Sequence, residues 1–229
     1  MIVTGRKKEY RFMKMLSDYR AITNKWYRLI CNIGIPVVVA VLSLILQNKL
    51  HHPLKMVIGV CISIVFLATA EIVGDYWGFG PICVKGCFGM DYLKTAYRGR
   101  YMARNALMMD IIVRPVRIFI CMLIVIIPTA QASENAVQLL LFSFAIVSCE
   151  SVWALNITRY IQTVQVVFLV SGLFSLVTLL LVECVLCKPS WKGFIWPFTA
   201  GLLVALVFGI FVTSRHMYKK VEASYMDVE

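Results

Sequence analysis

The sequence predicts an all-α, polytopic integral membrane protein: six transmembrane helices, an amphipathic interfacial helix ahead of them, and both termini in the cytosol. Three observations carry that reading. Of 229 residues, 60% are apolar and 15% charged, with a mean hydropathy of +0.80; a soluble domain has about 45–50% and about 25%. Six apolar runs approach the ~20 residues needed to cross a hydrocarbon core ~30 Å thick. Lys and Arg divide unevenly between alternate connections, as the positive-inside rule requires. Together these exclude an ordinary cytosolic enzyme, a disordered chain and a secreted disulfide scaffold.

The elements follow in order. Residues 1–28 carry Lys7, Arg11, Lys14, Asp18 and Lys25 at helical spacing, opposed by Phe12, Met15, Leu16, Tyr19, Ile22 and Trp26. This is the pattern of a helix lying on the inner leaflet. The spans are expected at Leu29–Gln47, Leu54–Gly74, Ile111–Ala130, Ala136–Asn156, Ile161–Leu186 and Gly193–Thr213. They form one domain over 29–213, and 214–229 is a cytosolic tail. The first span is expected to serve as an uncleaved signal anchor, because the charged leader lacks a short apolar region with a small-residue cleavage site.

Orientation follows from charge. The N-terminal tail, the 75–110 connection with the base of the third span, Arg159 and the C-terminal tail hold 19 Lys and Arg; Lys49, Lys55, Lys188 and Lys192 hold the other side. The net charge of +11 is therefore read as topology and headgroup contact rather than as a nucleic-acid surface. No stacking aromatics border a soluble basic groove, so nucleic acid is not an expected partner.

The 75–110 connection is the one sizeable loop. Glycines 78, 80, 86 and 89 with Pro81 argue against a continuous helix there. From Met90 helix is expected to resume, with Asp91, Lys94, Arg98 and Asn105 on one face and Leu93, Tyr97 and Met108 on another. Such a helix either docks on a partner or rests on its own bundle.

Glu71, Glu150 and Glu183 fall inside apolar runs, where a carboxylate must face a partner or a cavity. Arg114 and Arg117, one turn apart, are expected either to snorkel to an interface or to neutralise Glu71 or Glu150. Glu150 reads as an interhelical bond or as part of an ion or proton relay. Cys31, Cys61, Cys121 and Cys149 read as packing residues. Cys83 and Cys87 lack the further ligands a zinc site needs, so no metal is expected. Cys184 and Cys187 are spaced so that an outer-face disulfide is conceivable. His51 and His52 read as outer turn residues. HExxH, GxSxG and Walker-type glycine loops are missing, so no catalytic residues and no cofactor are expected.

The amphipathic leader, six spans and the stretch Met90-Asp-Tyr-Leu-Lys-Thr-Ala-Tyr-Arg-Gly-Arg-Tyr-Met-Ala-Arg-Asn-Ala-Leu between the second and third spans resemble the compact permease subunits of ABC-2-type transporters. The resemblance is architectural and covers most of the chain. It implies a bacterial plasma-membrane exporter subunit, non-catalytic itself, paired with a second permease subunit and coupled to a separate ATPase through the 90–108 helix. Lys94, Arg98 and Arg100 are then the expected docking residues. The re-entrant element common between the fifth and sixth spans of that family has little room here, although Pro189 and Pro197 allow a broken helix. A non-transporting scaffold, assembly or immunity protein, and an ion- or proton-coupled carrier using Glu150, are the alternatives.

Overall fold

The computed structural model describes residues 2–48, 53–83, 93, 98–130, 136–159, 163–187 and 193–226. Its elements are helical: α1 (Ile2–Ile22), α2 (Lys25–Leu29), a π-helical turn (Ile30–Gly34), α3 (Ile35–Asn48), α4 (Pro53–Cys83), α5 (Gly99–Ala130), α6 (Ala136–Thr158), α7 (Val164–Cys187) and α8 (Ile195–Met226). Among the described residues, four stretches are long and apolar enough to cross a membrane: Lys25–Ile45, Cys61–Phe79, Val137–Thr158 and Ile195–Lys219.

The bundle has a triangular plan. Helices α4, α5 and α6 pack against one another, and α3, α7 and α8 each lie along a pair of them: α3 on α4 and α5, α7 on α4 and α6, α8 on α5 and α6. Burial follows the plan. The central spans Cys61–Phe79 and Val137–Thr158 are 44% and 56% buried, the peripheral Lys25–Ile45 and Ile195–Lys219 only 22%. The outer faces are apolar, with Val37, Val41, Leu173, Leu180, Val207 and Phe211 exposed. Contiguous apolar surface of this kind is suited to lipid and not to water. Small interhelical bonds tie the peripheral helices in, as expected where lipid removes the hydrophobic drive: Ser43 donates to the Val125 carbonyl at 3.5 Å, Thr69 and Ser175 share a bond of 2.6 Å, and Asn156 donates to Thr213 at 2.8 Å.

Helix α1 ends in a corner. Thr23 turns its hydroxyl back to the Tyr19 carbonyl at 2.5 Å, and the Arg28 guanidinium donates to the Arg20 carbonyl at 2.9 Å. Asn24 then caps α2, accepting from the Trp26 amide at 3.1 Å. The leader therefore breaks at 23–24 instead of running to residue 28. Its apolar side is also placed differently from the expected interfacial helix. Met15, Leu16, Tyr19 and Ile22 pack into the protein core, with α1 lying along α5, while Phe12 and Met13 remain exposed.

Two further departures have local causes. Helix α4 continues through Gly78, Gly80 and Pro81 to Cys83, so the glycines do not end it. A Cβ at Gly78 would lie 2.3 Å from the Tyr27 ring; the missing side chain is a notch for Tyr27, not a helix stop. Helix α5 runs unbroken for 32 residues, so the second half of the expected short helix is continuous with the apolar run that starts at Ile111. It stays helical through Pro115, which removes one ladder bond. The π-turn, closed by a bond from the Ile35 amide to the Ile30 carbonyl, directly precedes Pro36. The wider turn suits a proline that offers no N–H to the carbonyl of Asn32.

Candidate functional site

Each central helix contributes charge to one buried cluster. Glu71 and Asp75 stand one turn apart on α4, Asp110, Arg114 and Arg117 form a stripe on α5, and Arg159 follows the last residue of α6. All six are at most 5% exposed. The expectation that Arg114 and Arg117 snorkel to an interface is corrected: both turn inward.

The geometry is a chain of forks. Arg117 grips Glu71 bidentately, Nε to Oε1 at 2.6 Å and Nη2 to Oε2 at 2.5 Å, and its Nη1 donates to Asn32 of the π-turn at 3.3 Å. Arg114 bridges all three acids. Its Nη1 donates to the Glu71 carbonyl at 2.9 Å and to Oε2 at 3.3 Å; its Nη2 donates to Asp75 at 2.6 Å and Asp110 at 3.0 Å. Arg159 donates to Asp75 from Nη2 at 2.7 Å and from Nε at 3.1 Å, and also to Asp110. The Arg159 guanidinium lies 4.6 Å over the Phe79 ring and reaches Met217 of α8 at 3.1 Å.

Three carboxylates meet three guanidiniums, so the cluster is electroneutral. That balance is what permits its burial: an unpaired charge would carry several kcal/mol of desolvation, about 3–5 kcal/mol when one partner is removed. Bidentate Arg–carboxylate pairs also fix direction, so the cluster sets how α4, α5 and α6 meet at the α1 end of the bundle.

An aromatic floor lies beneath it. Phe79 packs against Tyr19 and edge-on against Tyr27, with centroids 6.2 and 5.9 Å apart. Among the described residues, the hydroxyls of Tyr19 and Tyr27 meet no hydrogen-bond partner, and the same holds for Asp110 Oδ1 and Arg114 Nε. Burial, with the charge of Asp110 second, pushes the Tyr19 hydroxyl above its ordinary range, so Tyr19 stays neutral.

Glu150 lies elsewhere. It accepts from Thr178 of α7 through Oε2, while Oε1 is buried without a partner. It meets neither Arg114 nor Arg117. Nearby, Trp153 packs against Gly209 and donates to the Ala205 carbonyl at 3.3 Å. Arg98 and Arg100 stand exposed at the start of α5. Lys94 lies outside the described residues, as do His51, His52, Cys87 and the side chains of Cys83, Cys184, Cys187 and Glu183. Cys31, Cys61 and Cys121 are buried thiols outside any disulfide.

Sequence reasoning singled out Glu71, Arg114 and Arg117 and missed Asp75, Asp110 and Arg159. The signal for two of these was present: Glu71 and Asp75 are four apart, and Asp110, Arg114 and Arg117 follow at four and seven, each set on one helical face. Comparison with protein families, curated proteins and solved structures returns no match.

Proposed function

We propose that this chain is the membrane subunit of a two-component exporter of the kind its sequence resembles, a compact ABC-2-type permease driven by a separate ATPase. In this reading it has six spans, the four long apolar stretches together with α5 from Ile111 and α7. Both termini face the cytosol of a bacterial cell, and the pathway lies between two permease subunits.

The observation that supports it is the continuity of α5. Thirty-two residues make a rod of about 48 Å, against a hydrocarbon core of ~30 Å. The twelve residues from Gly99 to Asp110 thus stand below the membrane, clasped by α1 and by the end of α8. A partner that pushes on Arg100, in the first turn of α5, or on Arg98 just ahead of it, would move a helix whose later turns carry Asp110, Arg114 and Arg117. Force is delivered to the ion cluster, and through it to α4 and α6, without an intervening hinge loop.

The test is a mild-detergent pull-down of the tagged protein from its host, with partners identified by mass spectrometry. A stoichiometric ATPase is expected with wild type and is lost from the Lys94→Glu/Arg98→Glu variant at equal expression. An absent ATPase, under conditions that keep a known ABC complex whole, overturns the reading.

A second reading, a proton- or ion-coupled carrier, is favoured by one observation. Glu150 Oε1 is buried on α6 without a hydrogen bond, and an unpaired carboxylate oxygen inside a span is a natural stop for a proton or cation.

A further inference from the structure

We infer that the cleft between the first turns of α5 and the last turns of α8 binds a phosphate-bearing anion. The cleft is a cavity of about 100 Å³ lined by Arg100, Tyr101, Arg104, Tyr218 and Val221. That is room for a phosphate head rather than for a whole nucleotide. No acid lines it.

Arg104 carries the argument. Its guanidinium lies 5.5 Å from the centroids of both Tyr101 and Tyr218, held by one ring from its own helix and one from α8. Both rings lie within cation–π range of the guanidinium, whose N–H fork is the group that grips phosphate bidentately. The comparison with the other arginines is direct. Arg114, Arg117 and Arg159 each sit on carboxylates, whereas Arg104 makes no ion pair among the described residues. The neighbouring acid, Asp18 of α1, already accepts from Asn105 at 2.6 Å. A guanidinium flanked by two rings and without a carboxylate among the described residues is prepared for an anion from outside the chain. The opening of α5 at Gly99 adds the partial positive charge of a helix N-terminus.

The phosphate can come from an anionic lipid headgroup at the membrane surface or from solution, and the cleft stands whether or not the chain transports anything. The full-length protein in detergent is titrated with phosphatidylglycerol and phosphatidylcholine, read by native mass spectrometry, and with inorganic phosphate, read by thermophoresis. The control is Arg215→Gln, an exposed arginine of α8 that does not line the cleft. Arg104→Gln is expected to weaken binding about tenfold, the size of one charge-assisted bidentate contact. Arg104→Lys, which keeps the charge and loses the fork, is expected to weaken it severalfold and guards against a folding artefact. Loss confined to phosphatidylglycerol identifies the lipid headgroup, and loss of inorganic phosphate identifies the soluble anion; either supports the site. Unchanged binding of both probes in Arg104→Gln, or an equal loss in Arg215→Gln, overturns it.

Discussion

Replacing Asp75 by Asn tests the buried cluster most directly. Asp75 accepts from Arg114 at 2.6 Å and from Arg159 at 2.7 and 3.1 Å. The amide retains one acceptor oxygen but turns an NH₂ donor toward guanidinium donors, and it leaves three cations facing two carboxylates. Removing one partner of a buried pair costs about 3–5 kcal/mol. For a chain of this size that corresponds to a fall of roughly 6–20 °C in Tm, at about 2–4 °C per kcal/mol. Adding Arg159→Gln restores neutrality, so the double variant is expected to lose less than the sum of the two singles by about 1–3 kcal/mol. The assay is thermal unfolding of the detergent-solubilised chain followed with a thiol-reactive fluorophore, since the thiols of Cys31, Cys61 and Cys121 are buried in the folded chain and unmasked on unfolding. A single variant melting within about 2 °C of wild type, or a strictly additive double variant, would refute the reasoning, because neither is compatible with a carboxylate that balances buried cations.

Two further outcomes are expected. Gly78→Ala places a methyl 2.3 Å from the Tyr27 ring and is expected to destabilise by about 1–3 kcal/mol, despite the better helix propensity of Ala; thermal melts should show the loss vanish when Tyr27 is first cut to Ala. Glu150→Gln keeps an acceptor for Thr178 and is expected to change stability by less than about 1 kcal/mol, so a large loss of proton-coupled flux in vesicles, with Tm unchanged, would select the carrier reading over the permease.

The described parts of the six apolar runs are helical, and four stretches among them are long and apolar enough to cross a membrane, because run length and hydropathy are local properties. Helix ends are less local. Gly78, Gly80 and Pro81 have the composition of a turn, yet Tyr27, remote in sequence, packs into the space at Gly78 and the helix continues. Glu71, Arg114 and Arg117 were legible as misfits, charges inside apolar runs. Asp75 and Asp110 were legible only by their helical spacing to those residues, because they stood at the polar edge of the same runs, where charge is ordinary. Arg159 carried no local sign at all: its partner Asp75 lies 84 residues away. The leader helix shows the same limit from the other side. Its amphipathic face was visible, but whether that face meets lipid or α5 depends on a partner surface that periodicity does not specify.

Electroneutrality of the cluster has an electrical consequence. The sum is zero, but the contributions are unequal: α4 brings two negative charges, while the α5 stripe and Arg159 each bring one net positive. In a polarised membrane, a charge that crosses the full field exchanges about 2.3 kcal/mol per 100 mV. A movement that carries α4, α5 and α6 together does no electrical work at this point. A movement that slides α4 along the membrane normal relative to the other two carries its two negative charges through the field, and its energy then depends on the membrane potential. The same six side chains thus make concerted motion insensitive to voltage and make sliding of α4 against α5 and α6 sensitive to it.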